Sequence, residues 1–223
     1  MKKKFFITAD GSPSIKIEEL NETYHSVNGA IRESAHIYID NGLNYWIKKN
    51  NKKKVEIFDM GMGTGLNIYL SFVYCKKRKI QLEINSIEKF PLNDKEVKLL
   101  SMKKSLPEPN FHFIFEWIHK CMWNKKNFKN GFIFYKLRED FLNFKSKKKY
   151  DIIFYDAFGY HAQFEMWQEK TILNCFKILK PGGLWISYCS KGLVKRNLER
   201  VGFQVEKLEG PKGKREILRA LKI

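Results

Sequence analysis

The chain has 223 residues and a formal net charge of +18, from 42 basic and 24 acidic side chains. This length predicts one domain with a full α/β core. The positive charge indicates a polyanionic partner, and nucleic acid is the first candidate; the alternative is that the charge only reflects a lysine-rich composition. The apolar runs are too short for a signal peptide or a membrane span, so we expect a cytoplasmic protein with no membrane contact. The four cysteines lack metal-ligand spacing, so we expect no metal site.

The first fifty residues are interpreted as an extension of the domain. Residues 1–30 include the turn-forming Asp10, Gly11 and Pro13 and predict loops and short strands. Residues 33–50 carry apolar side chains at helical spacing and predict a helix, which Gly42 could divide in two. We expect residues 1–50 to pack on a core formed by residues 51–223, so that both parts make one structural domain.

A short β-prone run, a glycine-rich loop and a helical segment follow in that order. The polar and glycine residues from the end of the run to the start of the helix are Asp59, Gly61, Gly63, Gly65 and Asn67. A strand, a glycine turn and a helix form the nucleotide-binding start of a doubly wound sheet, because glycine permits a sharp turn and the close approach of a ligand. The spacing D-x-G-x-G-x-G is the one shared by class I S-adenosylmethionine (AdoMet) methyltransferases, with a plain tight turn as the alternative.

Two acidic residues follow the next two predicted strands. Glu88 ends the strand at residues 82–87, at the distance from the glycine loop where an acid meets ribose hydroxyls; otherwise it would cap the helix near Asn93. After a helix at residues 110–123 and a strand at residues 132–137 comes Asp140. An acid at this point often meets the adenine amino group, but Asp140 could equally cap residues 141–144.

The remaining elements complete a known plan. The buried strand at residues 150–155 ends at Asp156, which places this acid on the ligand-binding edge of the sheet. Later elements are predicted as a helix at residues 166–179 stopped by K-P-G-G, a strand at 184–188, a helix ended by Gly202, and a hairpin of strands at 203–208 and 216–221. This order predicts a class I methyltransferase fold: a Rossmann-like α/β structure whose mostly parallel, seven-stranded sheet ends in an antiparallel hairpin.

Several segments together resemble the methyltransferase part of the tRNA 5-methylaminomethyl-2-thiouridine biosynthesis proteins (MnmC) and their free-standing relatives (MnmD). These segments are E-T-Y-H-S-V-N-G-A-I-R-E-S from Glu22, D-M-G-M-G-T-G-L-N from Asp59, S-I-E-K-F-P-L from Ser86, F-Y-D-A-F from Phe154, E-M-W ending at Trp167, K-P-G-G, G-L-V-K-R-N-L from Gly192, and G-K-R-E-I-L from Gly213. The chain departs from the family at residues 159–163, where members commonly have a proline-containing loop. The flavin-dependent oxidase domain of the bifunctional members is missing, so we expect a separate enzyme to supply the aminomethyl precursor.

The resemblance implies methyl transfer from AdoMet to the 5-aminomethyl group of the wobble uridine, with or without a 2-thio group, in the tRNA anticodon loop. Asp156 would position the amine and take up or relay its proton. The predicted cofactor-binding residues are Asp59, Gly61, Gly63, Gly65, Asn67, Glu88 and Asp140. The predicted substrate-binding residues are Phe158, Tyr160 and Trp167 for stacking on the base and Lys195, Arg196, Lys214 and Arg215 for phosphates.

Each of these roles has a structural alternative. Asp156 could cap a strand-end loop, the aromatic residues could be core, and the basic residues could be solvated surface. Two other functions also stay open: an AdoMet-dependent enzyme with a small-molecule or protein acceptor, and a non-catalytic RNA-binding module on the same fold. The charge of +18 argues against the first, and the intact acidic and glycine motifs argue against the second.

Overall fold

The computed structural model describes residues 2–223, which form two sheets and the helices around them. The strands are β1 (Lys3–Ile7), β2 (Pro13–Ile17), β3 (Glu22–Thr23), β4 (Lys54–Met60), β5 (Gln81–Ile87), β6 (Lys126–Lys129), β7 (Phe132–Leu137), β8 (Tyr150–Tyr155), β9 (Leu179–Ser187), β10 (Phe203–Glu209) and β11 (Glu216–Lys222). The helices are α1 (Ala30–Ser34), a π-helical segment (Ala35–Asn44), α2 (Tyr45–Asn50), α3 (Leu66–Lys77), α4 (Asp94–Leu100), α5 (His112–Lys120), α6 (Glu169–Ile178) and α7 (Gly192–Val201). Short 3-10 turns lie at Met102–Lys104, Pro109–Phe111 and Phe164–Trp167.

The main sheet has the strand order β10-β11-β9-β8-β4-β5-β7-β6. Neighbouring strands from β9 to β7 run parallel, and the β10–β11 hairpin is antiparallel, so the predicted methyltransferase sheet is confirmed. The predicted number of seven strands is wrong, because β6 adds an eighth strand antiparallel to β7. β6 has only four residues, K-N-F-K, and two of them are charged, so its alternation is too short to stand out in the sequence.

The N-terminal segment shares the hydrophobic core of the sheet. β1, β2 and β3 form a small antiparallel sheet, and Ile15 and Ile17 of β2 are fully buried in the same cluster as Ile57 and Ile84 of the main sheet. The helical stretch from Ala30 to Asn50 is continuous, so Gly42 does not divide it. A Cβ atom at Gly42 would lie 3.3 Å from side-chain atoms of Ile186 and Phe154, and the glycine therefore lets the helix pack closely on the sheet.

Helices cover the sheet on both faces, as in other doubly wound folds. α3, α5 and the N-terminal helical stretch pack on one face, whereas α6 and α7 pack on the other. β9 begins at Leu179 rather than at the predicted residue 184, because Leu179 already pairs with Tyr150 of β8; the K-P-G-G segment forms an irregularity in the register before Leu184 pairs with Ile152. Among the helices in residues 2–223, none is long and apolar enough to cross a membrane.

Candidate active site

A cleft of about 380 Å³ opens where β4, β5 and β8 end. This is the edge at which parallel α/β sheets bind ligands, and the volume lies within the range of small-molecule sites. The strand ends contribute Met60, Ile87 and Asp156 to the cleft, and the N-terminal segment contributes Tyr24 and Glu33. The cleft is thus built from both parts of the chain.

The glycine loop leaves β4 in a conformation that favours glycine. Gly61, Gly63 and Gly65 have φ angles of 92°, 50° and 76°. A Cβ atom at Gly61 would lie 2.6 Å from the carbonyl oxygen of Asp156, so a side chain there would push the loop away from the end of β8. The backbone N–H of Gly61 donates to the carbonyl oxygen of Ile87 at 3.0 Å, which ties the loop to β5 as well.

Glu88 lies in the cleft with its carboxylate fixed by backbone donors. Oε2 accepts from the N–H of Gly63 at 3.0 Å, and Oε1 accepts from the N–H of Phe90 at 2.9 Å. Each oxygen keeps a second lone pair that can accept from a ribose hydroxyl. The alternative that Glu88 caps the following helix is wrong, because Asn93 caps α4 and Glu96 completes the capping box.

Asp59 is buried beneath the glycine loop and does not line the cleft. Its Oδ2 accepts from the Ser86 hydroxyl at 2.6 Å, and its Oδ1 is buried without a hydrogen-bond partner among residues 2–223. Burial, together with the carboxylates of Asp156 and Glu88, raises the pKa of Asp59 to about 8. Its position favours a role beneath the cofactor rather than a direct contact with it.

Asn67 connects the start of α3 to the end of β8. Its Nδ2 donates to Oδ2 of Asp156 at 2.8 Å. Its Oδ1 is buried and has no donor in the described part of the chain, although Asn67 lines the cleft. A buried amide oxygen in a binding cleft is typically satisfied by a ligand donor, and an ammonium group would serve.

Asp156 lies in the cleft between two hydrogen-bond donors. Oδ1 accepts from the Tyr38 hydroxyl at 2.7 Å, and Oδ2 accepts from Asn67. Burial, together with the nearby Glu33 carboxylate, raises the pKa of Asp156 to about 7, against the lowering effect of the two hydrogen bonds and Lys214. This carboxyl group therefore gains or loses its proton near neutral pH, which suits general acid–base chemistry.

Aromatic side chains surround the entrance beside Asp156. The rings of Tyr24 and Phe158 meet edge to face with centroids 5.2 Å apart, and both line the cleft. The prediction that Trp167 stacks on a base is wrong, because its side chain is fully buried in the core. Its Nε1 instead donates to the carbonyl oxygen of Phe158 at 2.9 Å and so holds the loop that carries Phe158.

The predicted basic residues are dispersed, and only Lys214 lines the cleft. Its Nζ lies 3.3 Å from Oε1 of Glu33 and 4.5 Å from the centroid of the Tyr188 ring. Lys195 pairs with Glu199 at 3.0 Å, one turn along α7, and Arg196 and Arg215 also lie outside the cleft.

Tyr160 and Asp140 occupy different surroundings. Tyr160 lies outside the cleft, where its ring meets Phe164 edge to face and lies under the Lys191 ammonium at 4.8 Å. Asp140 lines the cleft, but its Oδ1 also accepts from the N–H of Leu142 at 3.0 Å, as the capping alternative requires. Asp140 therefore lines the cleft and also caps the turn that follows it, and its contact with adenine stays a prediction.

Sequence reasoning missed the residues that the N-terminal segment brings to the cleft. Tyr24, Glu33 and Tyr38 have no motif that relates them to Asp156, which lies 118 positions beyond Tyr38. The segment from Glu22 to Ser34 carries part of the family resemblance and is a signal for a site, although its spacing assigns no role to any residue. His25 of the same segment lies between the hydroxyls of Ser14 and Thr64, at 3.2 and 3.3 Å, and burial lowers its pKa to about 4.

Residues 110–223 match the sequence profile of a family described as S-adenosyl-L-methionine-dependent methyltransferase. The chain belongs to this family. A curated relative from Leptospira interrogans, the tRNA 5-methylaminomethyl-2-thiouridine biosynthesis bifunctional protein MnmC, is 30% identical over 217 residues, which cover 90% of this chain and 32% of the relative. The chain thus spans about a third of the length of the curated relatives it matches.

Solved structures agree with the fold of this methyltransferase. The structure of MnmC2 from Aquifex aeolicus has a TM-score of 0.79 and 26% identity, and the match covers 98% of this chain and 70% of that one. The amino pentose methyltransferase CalS10 from Micromonospora echinaspora, solved with S-adenosylmethionine bound, has a TM-score of 0.51 and 10% identity over 87% of this chain and 92% of that one. The second likeness concerns the fold alone.

The residues of the cleft fit the methyl donor of the family. The glycine loop leaves space for a ligand to approach the backbone, and the Glu88 carboxylate is held where a ribose diol would lie. The unpartnered Oδ1 of Asn67 requires a donor, and the ammonium group of AdoMet has three.

Proposed function

We propose that this methyltransferase transfers a methyl group from AdoMet to the amine of 5-aminomethyl-(2-thio)uridine at the wobble position of tRNA. The observation that carries the proposal is the Asp156 carboxyl group, which has a pKa of about 7 and lies in a cleft that Phe158 also lines. The likeness to MnmC proteins supports tRNA as the substrate, and so does the net charge of +18.

Glu88, Asn67 and the glycine loop would hold AdoMet, which supplies a methyl group already activated by its positively charged sulfur. Glu88 would accept from the ribose hydroxyls and Asn67 from the ammonium group. Because the donor is strongly activated, the main task of the protein is to align the acceptor nitrogen with the methyl carbon and the sulfur.

Asp156 would hold the acceptor amine and manage its proton. An alkylamine is mostly protonated at pH 7 and cannot attack in that form, so one proton must leave before the new N–C bond forms. The Asp156 carboxylate can accept this proton, since its pKa of about 7 lies near the working pH. Tyr38 and Asn67 fix both of its oxygens, so the carboxylate is oriented before the amine arrives.

The end of the cleft around Asp156 suits a cationic amine joined to a base. Glu22 and Glu33 line the cleft together with Asp156, and Lys214 pairs with Glu33, so three carboxyl groups face one ammonium group and favour a positively charged ligand. Phe158 and Tyr24 offer aromatic surface on which a splayed pyrimidine can stack. This combination of carboxylates and aromatic rings favours an aminomethyl pyrimidine over a neutral acceptor.

The wider setting of the protein follows from this reaction. We infer that it works in the cytoplasm and that residues 1–50 form one domain with residues 51–223, because the N-terminal segment supplies Tyr38 and Glu33 to the site.

Nucleoside mass spectrometry on tRNA from a strain without this protein tests the proposal. We expect 5-aminomethyl-uridine or its 2-thio form to accumulate at the wobble position, and a plasmid copy of the gene to restore the methylated nucleoside. A plasmid that encodes Asp156→Asn should not restore it. Unchanged levels of 5-methylaminomethyl-uridine in the deletion strain would contradict the proposal, and a normal tRNA profile would favour a small-molecule or protein acceptor.

A further inference from the structure

One half of the main sheet presents an aromatic, solvent-exposed face away from α3 and α5. In the register of β6, β7 and β5, Phe128 pairs with Ile133, and Tyr135 pairs with both Lys126 and Asn85. Phe128 is 67% exposed, and Ile133 and Tyr135 are half-buried. The alternating residues of β7 point to the other face, where Phe132 packs on Phe72 and Trp117.

A shallow basin of about 450 Å³ continues this face towards the start of β8. It is lined by Glu83, Asn85, Asn124, Lys125, Lys126, Tyr135 and Lys148. Asn85 is only 8% exposed, and its Nδ2 donates to the Tyr150 hydroxyl at 2.9 Å. Its Oδ1 is buried and has no partner among residues 2–223, so the basin holds an acceptor that a ligand N–H or O–H group would satisfy.

A basic segment of the chain borders this face, although its Lys129 and Lys136 lie on the opposite side of the sheet, against α5. Residues 124–149 contain nine basic and two acidic side chains, which gives +7 of the total of +18 in 26 of the 223 residues. Glu83 is neutralised by Lys126, at 3.7 Å, and by Lys148. Lys125, Lys145 and Lys147 are exposed and form no ion pair within the described chain, so they remain available to an anion.

We propose that this face, formed by Phe128, Ile133, Tyr135 and the basin, is a second RNA-binding surface that contacts the tRNA substrate outside the active site. An unpaired base stacks on Phe128, and the surrounding lysines bind the adjoining phosphates, as on other sheet surfaces with exposed aromatic rings. The inference rests on the proposed function, because tRNA is the ligand it names.

The chemistry of the basin favours RNA over an acidic peptide. A peptide could pair its carboxylates with the lysines and donate a backbone N–H to Oδ1 of Asn85, but its acidic side chains carry no ring that could stack on the exposed Phe128 beside the basin. A nucleotide carries both phosphate oxygens for the lysines and amino or 2′-hydroxyl donors for Asn85. Asn85 lies on β5, and Glu88 follows the end of this strand three residues later, about 10 Å along the extended chain, so one RNA molecule can reach from the basin to the cleft.

Direct binding of tRNA to Phe128→Ala tests this surface, with Leu99→Ala as the control. Leu99 lies on α4 and is 65% exposed, close to the 67% of Phe128, so both variants are expected to fold as the unmodified protein does. We expect Phe128→Ala to weaken tRNA binding by about fivefold to a hundredfold, the range for the loss of one stacked base. AdoMet affinity and the kcat at saturating tRNA should not change, and Leu99→Ala should leave all three unchanged.

A matched pair of lysine variants tests the phosphate contacts. Lys125→Gln should lower the slope of log Kd against log salt by about 0.7, whereas Lys52→Gln, which removes an equally exposed charge before β4, should leave it unchanged.

These measurements can contradict the RNA-binding surface and the proposed function independently of each other. Equal tRNA affinity for Phe128→Ala and the unmodified protein would overturn the RNA-binding surface, even if methyl transfer to tRNA is observed. Weaker tRNA binding by Phe128→Ala in a protein that never methylates tRNA would support the surface and contradict the proposed function.

Discussion

Asp156 receives its two hydrogen bonds from residues 118 and 89 positions away in the chain. The sequence could predict that this acid ends a buried strand, because an apolar run followed by a polar residue indicates where the strand stops. It could not predict Tyr38 or Asn67 as partners, since hydrogen bonds between distant segments depend on how the segments pack. The glycine turn after β4 was easier to predict, because its positive φ angles require glycine locally.

Replacing Asp156 by Asn should slow the reaction without preventing binding. The amide has nearly the same shape, but it carries no charge and cannot accept the proton of the amine. We expect the single-turnover rate on aminomethyl-uridine tRNA to fall by about 10²–10⁴-fold, the range for one acid–base group. AdoMet affinity, measured by calorimetry, should stay within about threefold of the unmodified protein. A variant with an unchanged rate would remove Asp156 from the mechanism.

The pH dependence of the rate should report the ionisation of Asp156. Because the carboxylate is the active form, the rate of the unmodified protein should fall as the pH is lowered through about 7. Tyr38→Phe removes a hydrogen bond that stabilises the carboxylate, so the pKa of Asp156 should rise and the fall should begin about one pH unit higher.

Tyr74→Phe is a matched control for this profile, since it removes a hydroxyl that binds Asn44 and does not line the cleft. Its pH–rate profile should coincide with that of the unmodified protein. Equal profiles for all three proteins would show that Tyr38 does not tune Asp156.

At the scale of elements, the sequence predicted those strands whose positions follow from a local pattern of apolar residues. Strands β4, β5, β7, β8, β10 and β11 lie within one or two residues of their predicted positions, because each is a clear apolar or alternating run between turns. β6 was not predicted, and neither was the π-helical geometry of Ala35–Asn44, although a helix was predicted at residues 33–50. The first is stabilised by pairing with β7, and the second by packing on the sheet, and neither contact has a local signal.

Gly61→Ala should weaken the link between the glycine loop and β8. The new Cβ would lie 2.6 Å from the backbone oxygen of Asp156, and the residue has a φ angle of 92°, so the loop must move or remain strained. We expect a loss of about 2–4 kcal/mol in the free energy of unfolding, measured with urea, together with weaker AdoMet binding.

Gly131→Ala separates the cost of backbone conformation from the cost of the clash. Gly131 has a φ angle of 80°, but nothing lies within 4 Å of its Cβ position. We expect this variant to lose about 1–2 kcal/mol and to bind AdoMet normally. If both glycine variants are destabilised equally, the contact between Gly61 and Asp156 is not what requires glycine.

At the scale of the whole molecule, the charge of +18 predicted an anionic partner but not where it would bind. Of the four basic residues predicted to bind phosphates, only Lys214 lies in the cleft, whereas the segment 124–149 carries the densest positive charge. The net charge of a sequence contains no information on where the charged side chains lie in the folded protein. The charged face can therefore be located only when the fold is known.

Binding of tRNA should weaken steeply with salt. Each phosphate contact contributes about 0.7 to the slope of log Kd against log salt, so four or more contacts should give a slope of about 3. Fluorescence anisotropy with labelled tRNA between low and moderate salt measures this slope. AdoMet binding under the same conditions serves as the control and should change little. A slope below about 1 would mean that the basic surface does not bind the RNA backbone.

Methyl transfer to two anticodon stem-loops that differ only at the wobble uridine tests the central claim most directly. One carries 5-aminomethyl-uridine and the other carries unmodified uridine, and both are incubated with the purified protein and labelled AdoMet. Mass spectrometry of the nucleosides then locates the label. We expect one methyl group on the aminomethyl nitrogen of the first RNA and none on the second, and Asp156→Asn should slow transfer to the first RNA by about 10²–10⁴-fold. Label on the unmodified RNA, or none on the aminomethyl RNA from a protein that binds AdoMet, would contradict the assignment.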